Sequence, residues 1–548
     1  MTPFFFRRIS SDPFSNRHAL FLVIFLLVAG ARLAILLLAQ RHVHSDEAII
    51  GLMGKHILEG RYLPFYMYGQ PYNAGAAWEA YLAAGSFAVF GVSVTALKGV
   101  IVALSLLTLA IFYRLVCRLF DVPTAALAAG VLAVMPTLLK WHFEVRGYSL
   151  YFLSIPILTG LFFWLAGRDG ACSSGSAGSD AGASSRRNRR DAAIPAGVFG
   201  LLCGVSVWGL ELILPLVVAY GLILLSIRKL RLGEQLAGLA GFLVGYLPAI
   251  VFNLLHDASN WRSVFLMKTR RDLPGMQDLR DIFLVELPMF FGHDTAFFYY
   301  QPATWIGWTF YGLSAGAMIA ALVPWIVRPS RLMLLSRGDL TAPETKDLVI
   351  VLLTAAGFAA YLAAPIRAAN FFLGGCFFLA ILISRLAMRL GRGRGIAGAV
   401  IGGTAVFAGG AAMLDVARRD EVVTLVFHKE GTASMARFPG ADIARVQNYL
   451  KERRIDAIWT TVSFVYPMIF ESGESLAVSE EVFGWHREVY PPGVHRRLPS
   501  AETCGVYVIE AGSPFRQAIE RHCQDQTGQP PVVREFGSLI VIEQAPPA

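Results

Sequence analysis

The chain is poor in charge and in cysteine. Only 16% of its 548 residues are Asp, Glu, Lys or Arg, against about 25% in a soluble globular protein, so it lacks the polar surface to face water on all sides. That shortage excludes a soluble enzyme, a disordered chain and a coiled coil. Its 6 cysteines include no C-x-x-C pair and no zinc spacing. A D-x-D pair is also missing. Gly393-Arg-Gly395-Ile-Ala-Gly398 meets the G-x-G-x-x-G pattern, but no strand precedes it and an apolar helix follows, so it is a basic loop rather than a nucleotide site. What remains is 55% hydrophobic, with 48 Lys and Arg against 39 Asp and Glu, a formal charge of +9. The excess lies in short loops between apolar runs, where it reports membrane topology and not a nucleic-acid partner.

Eleven apolar segments are long enough to cross a bilayer, at roughly 19–40, 95–116, 123–141, 147–167, 194–209, 211–227, 234–256, 303–327, 347–365, 369–386 and 396–414. The first exceeds a signal-peptide core and has no small-residue cleavage site, so it stays attached. Arg32 inside it reads as a snorkelling or ion-paired cation. The loops holding Arg7, Arg8 and Arg17; Arg114 and Arg118; Arg186 to Arg190; Arg228, Lys229 and Arg231; Arg328, Arg331 and Arg337; and Arg389, Arg392 and Arg394 all fall on one side if every segment crosses. That side is the cytoplasm by the positive-inside rule, and the C-terminus is outside. The expectation is an α-helical polytopic protein of the inner, cytoplasmic membrane. It divides into a membrane part over 1–414 and a small extracytoplasmic α/β domain over 415–548. Within that tail, Asp442–Arg453 and Pro514–Gln524 read as helices, and Asp456–Val462, Gly505–Glu510 and Ser538–Glu543 as strands. Cys504 and Cys523 lie there, as a disulfide or as two buried thiols. The inner connection 168–193 is a Gly/Ser-rich flexible linker ending in an Arg cluster.

The long connections 41–94 and 257–302 face outward, so the chemistry is expected outside. The first opens His44-Ser45-Asp46-Glu47 at the exit of a membrane helix and continues through Lys55 to Tyr68-Gly69-Gln70. Adjacent carboxylates at such a depth are costly to desolvate and need a reason. Asp46 either caps a helix running from Glu47 to about Leu58, or does chemistry, or both. Trp78, Tyr81, Phe87 and Phe90 form the apolar face of an interfacial helix. The second outer turn reads Lys140-Trp141-His142-Phe143-Glu144-Val145-Arg146-Gly147-Tyr148. Glu144 either pairs with Arg146 or converges with Asp46 on one pocket. His44, Asp46, His142 and Glu144 also offer ligands for a divalent metal such as Mg, Mn or Ca. His293-Asp294 reads as polar loop surface.

An outer-loop Asp-Glu after the first helix, with an acidic residue and Arg146-Gly147-Tyr148 in the second outer turn, resembles the GT-C glycosyltransferases. Within them it is similar to the protein O-mannosyltransferase and lipid A aminoarabinose transferase superfamily. The resemblance covers about 1–390 and includes Arg367, in Arg367-Ala-Ala-Asn-Phe. It implies a polyprenyl-phosphate sugar donor and an inverting transfer to a glycan, lipid or protein acceptor on the outer face. In that chemistry Asp46 takes the acceptor proton, with Glu47 and Glu144 assisting. Arg146, Arg270, Arg271 and Arg367 meet the charge of the leaving phosphate, with Tyr148, Tyr68, Gln70 and Lys55 completing the substrate site. Lys268 to Arg271 otherwise form a surface patch for lipid headgroups. The alternative function is a lipid or polysaccharide transporter or flippase, which would carry internal repeats and broken helices at the midplane.

Overall fold

The computed structural model describes residues 18–39, 41–167, 181–228, 231–266, 275–292, 304–327, 342–363, 372–393, 395–418, 421–427, 433–480, 490, 491, 494, 498 and 505–544. Each of the eleven apolar segments lies on a helix. Among the described residues, five helices are long and apolar enough to cross a membrane, and seven spans result if each of two bent pairs counts as one. Two further helices over Ala193–Gly209 and Glu211–Ile227 are apolar but shorter. The last two, Pro343–Ala363 and Gly375–Gly393, hold charges that pair with each other, as Arg385 Nε lies 3.1 Å from Asp347 Oδ1.

The first third of the chain builds the part that matters for the site. It comprises α1 (Ala19–Leu38), α2 (Ser45–Leu58), α3 (Ala74–Phe90), α4 (Val94–Leu119), α5 (Val122–Val134), α6 (Pro136–Leu139) and α7 (Ser149–Ala166). The run from α5 through α6 to His142 bends by 66°. Pro136 causes the bend: it has no N–H to donate and drives Met135 out of the helical region, to ψ 117. The chain therefore reaches the second outer turn at a steep angle. α3 is the expected surface helix, with Trp78, Tyr81 and Phe90 exposed and Phe87 buried.

Arg32 corrects the sequence reading. It is 1% exposed, donates from Nη1 to Ser105 Oγ at 2.7 Å and from Nη2 to the Ala133 carbonyl at 3.4 Å, and makes no ion pair with any described residue. It does not snorkel, and it pairs with no described residue.

After the helix Gly395–Arg418 comes a hairpin of β1 (Glu421–Phe427) and β2 (Ala433–Pro439). A five-stranded mixed sheet follows, from β3 (Ala457–Thr460), β4 (Ala477–Ser479), β5 (Val506–Glu510), β6 (Val532–Phe536) and β7 (Leu539–Glu543) in the order β4-β3-β5-β7-β6. β3 runs parallel to β4 and β5; β7 runs antiparallel to β5 and β6. The three strands and two helices expected in this region are present. The β1–β2 hairpin, β4, β6 and the helix Val462–Glu471 are additions.

β5 and β7 are apolar without alternation because both faces of the sheet are covered. Tyr507, Ile509, Ile540 and Ile542 face Ile519 and Cys523 of the helix Arg516–Thr527. Val508, Leu539 and Val541 face the other way, into a core that also contains Ile50 and Met53 of α2 and Ala80 of α3. The α/β part therefore shares one hydrophobic core with the first outer loop. Cys523 is a buried thiol, and Cys504 lies outside the described residues.

The helices Ala181–Gly209 and Leu232–Gly245 pack backbone to backbone through glycines. A Cβ on Gly200 would stand 1.9 Å from the Gly238 carbonyl oxygen. Gly200→Ala should lower the thermal midpoint in detergent, by about 1–3 kcal/mol of overpacking. Gly221→Ala, where a Cβ meets nothing within 4 Å, should be neutral or slightly stabilising. Equal midpoints for the two variants would contradict this packing.

Candidate active site

The site forms where the start of α2 meets the second outer turn. His44 caps α2: its Nδ1 accepts the Asp46 N–H at 3.2 Å, and Glu47 Oε2 accepts the His44 N–H at 3.1 Å. This is a capping box with an imidazole in the usual Ser or Thr role. The cap is thus His44 and not Asp46. Relieved of that duty, the Asp46 carboxylate is half-buried, and among the described residues no hydrogen bond or ion pair engages it. Its charge acts through space on Arg146.

Glu47 is the opposite case. It is 1% exposed; its Oε1 accepts the Val145 N–H at 3.1 Å, and its Oε2 lies 3.2 Å from Lys98 Nζ on α4. Burial pushes its pKa above the ordinary range against the pull of Lys98. One carboxylate thereby ties together α2, α4 and the second outer turn.

The turn presents Arg146. Its Nε lies 2.9 Å from both His44 Nε2 and Glu144 Oε2, close polar contacts rather than aligned hydrogen bonds, because the one acceptor nitrogen of the neutral imidazole, Nδ1, already takes the Asp46 N–H. The guanidinium stands 5.9 Å over the Trp141 ring. Burial raises the pKa of Glu144, but Arg146, Lys140 and Lys98 outweigh it and hold the group below its ordinary value. Glu144 is therefore ionised. His44 is neutral, its pKa driven well down by burial and then by Arg146, Lys98 and Lys140.

A second buried carboxylate shapes the turn from behind. Glu79 of α3 accepts the Gly147 N–H at 2.6 Å, the Ser149 N–H at 3.0 Å and the Ser149 hydroxyl at 2.7 Å. Asn73 Nδ2 donates to the Arg146 carbonyl at 3.1 Å. Gly147 sits at φ 84, with space for a Cβ only 2.2 Å from Asn73 Oδ1, so no other residue fits the middle of Arg146-Gly147-Tyr148. Sequence reasoning missed Glu79, Lys98 and Asn73. The available signal was a lone charge on the otherwise apolar α3, Glu79, and one near the start of α4, Lys98, set apart from Arg114 and Arg118 at its end.

The other expected site residues fall elsewhere. Lys55 donates to the Gly473 carbonyl at 3.0 Å and pairs with Glu474, while the Tyr68 hydroxyl lies 3.2 Å from His56 Nδ1. His56 Nε2 is in turn 3.1 Å from Glu474. Lys55 and Tyr68 thus clamp the α/β part onto the far end of α2, about 13 Å along the helix from Asp46. Tyr148 is buried, its ring 4.4 Å from that of Trp141. Gln70 is half-buried beyond the Gly69 turn. Arg270, Arg271 and Arg367, with Lys268, His293 and Asp294, lie outside the described residues.

The four expected metal ligands do not gather around one point. Among the described residues no three His, Cys, Asp or Glu side chains gather as a metal site requires. Arg146 Nε holds the space between His44 and Glu144 that a cation would have to share. His142 lines a different cavity, with Arg32. These donors fit a guanidinium and not a divalent ion.

The chain is a multi-pass membrane protein whose architecture recurs in known enzymes. No family model matches the sequence, and no curated protein matches it significantly. Its fold is that of ArnT from Cupriavidus metallidurans. The apo crystal structure aligns with TM-score 0.57 and 13% identity over 96% of this chain and 98% of that one. The structure of the same protein bound to undecaprenyl phosphate aligns with TM-score 0.53 and 14% identity over the same shares. The resemblance to ArnT is thus one of fold.

Burial, against three hydrogen bonds, raises the Glu79 pKa from its ordinary 4.5 to about 7. A raised folded-state pKa means stability that is complete below pH 4.5 and lost as the pH rises through 7, worth up to about 3 kcal/mol. Thermal midpoints of the wild type should fall across that window, and Glu79→Gln should flatten the profile. A wild-type midpoint that rises with pH there would contradict the assignment.

Proposed function

We propose that this protein is an integral-membrane glycosyltransferase. It moves a sugar from a polyprenyl-phosphate donor to an acceptor hydroxyl on the outer face of the cytoplasmic membrane, with inversion at the anomeric carbon. The observation that carries the reading is the contrast at the start of α2. Glu47 and Glu144 are spent on Lys98, Val145 and Arg146, while Asp46 beside them is half-exposed and unengaged. Undecaprenyl phosphate bound to ArnT, whose fold the chain shares, supports the donor class.

In this mechanism Asp46 accepts the proton of the acceptor hydroxyl as its oxygen attacks the anomeric carbon. The bond from that carbon to the phosphate oxygen breaks on the opposite face, and the phosphate leaves with the electron pair. Arg146, beside Lys140 and Lys98, meets the charge that grows on the phosphate. Glu144 keeps Arg146 ionised and aimed; Glu47 and Glu79 hold the two loops in register. Arg270, Arg271 and Arg367 belong to the same proposal as further phosphate ligands. The two bent helix pairs match one feature expected of a transporter, but the fold shared with ArnT favours the transferase.

Asp46→Asn preserves shape and leaves the His44 cap intact, so it should express and fold as the wild type does. Transfer in membranes supplied with radiolabelled polyprenyl-phosphate sugars should fall about 10²–10⁴-fold. Arg146→Ala should weaken donor binding as well as turnover. Near wild-type transfer by the Asn variant would remove Asp46 from catalysis.

The orientation has its own test. With the N-terminus inside and the α/β part outside, alkaline phosphatase fused after residue 548 should be active. An inactive fusion alongside a fluorescent cytoplasmic reporter at the same point would reverse the topology.

A further inference from the structure

Arg32 presents a problem that the transfer chemistry does not solve. Its guanidinium is 1% exposed within the first membrane helix, and a guanidinium keeps its charge at any pH a protein tolerates. A charge at that depth is costly and normally has a partner of opposite sign. Ser105 Oγ and the Ala133 carbonyl supply dipoles only. Among the described residues, Arg32 Nε has no hydrogen-bond partner.

The same holds for a second buried group nearby. His142, at the end of the bent α5–α6 segment, is 9% exposed, and its Nε2 is likewise without a partner among the described residues. Arg32 and His142 line one small cavity between α1, α4, α5 and α7, with Ser105, Thr108 and Ser149 as further polar liners. The rest of the lining is apolar, with Trp141 and Phe152 among it and no Asp or Glu. Its volume of about 20 Å³ has room for one small ion or a water or two. A tetrahedral oxyanion is too large.

We propose that this cavity is a binding site for a small monovalent inorganic anion, a halide such as chloride, held between Arg32 Nε–H and His142 Nε2–H. Water would satisfy both nitrogens but would leave the charge uncompensated; a halide does both. The cavity adjoins the candidate active site through Trp141, which lines it and whose ring centroid lies 5.9 Å from the Arg146 guanidinium. Binding itself does not depend on the transferase reading.

The full-length protein, purified in detergent with gluconate as the only small anion, provides the test. Replacing gluconate by chloride or bromide at constant ionic strength should raise the thermal midpoint by a few degrees and saturate, as ligand binding to the folded state does. Arg32→Gln should abolish the halide-dependent rise, and His142→Gln should shift its half-saturation to higher halide. Should Arg32→Gln fail to fold, His142→Gln decides the question alone. Crystals grown in bromide should show an anomalous peak between Arg32 and His142. The proposal is overturned by a wild-type midpoint indifferent to halide, by an equal rise with sulfate or phosphate, by variants that respond as the wild type does, or by water density without bromide at the site.

Discussion

The geometry of the outer face depends on one buried carboxylate. Glu47 accepts the Val145 N–H, accepts the His44 N–H and lies against Lys98, so three separate elements converge on two oxygens. A buried ion pair of this kind adds little net stability over an apolar replacement, but removing one partner leaves the other charge uncompensated. Its value is positional. It sets α2 against the second outer turn at one register, and that register places Asp46 and Arg146 within electrostatic reach of each other.

A second shell repeats the logic from behind. Glu79 gathers Gly147 and Ser149, Asn73 takes the Arg146 carbonyl, and Gly147 adopts the one conformation that lets both partners approach. The second outer turn is therefore held by α2 and α3. Rigid support of this type is what a developing charge requires, since donors already in place need no reorganisation when the bond breaks.

The C-terminal α/β part belongs to the same mechanical unit. Its sheet covers α2 and α3 on one face, Glu471 accepts the Val43 N–H at 3.0 Å and contacts His42, and Glu474 gathers Lys55, His56 and Arg61. The pKa of Glu474 is held down to about 2 by His56 and Lys55 against the cost of burial. Both ends of α2 are thus anchored to a region that, among the described residues, contributes none to the candidate site. The tail braces the loop that carries Asp46.

Much of this was legible in the sequence. Hydropathy found the apolar helices, five to seven of them long and apolar enough to cross a membrane among the described residues, because a helix that must satisfy its backbone in an apolar medium announces itself by length and composition. The Asp46 and Arg146 motifs marked two segments that the structure brings together, and short apolar runs found β3, β5 and β7. The sequence could not say which acidic residue is unengaged. Asp46 and Glu47 are neighbours with nearly identical chemistry, and their different fates follow from Lys98 and Val145, far along the chain. Nor could spacing show that Lys55 and Tyr68 face Glu474, or that Arg32 has no counter-charge, because contacts between distant residues leave no local pattern. Composition and periodicity determined which segments are helices and which connections carry clustered charges. Only the packing of α2, α3, α4 and the α/β sheet decided which charges are neutralised, because burial and partner distance set the state of each ionisable group.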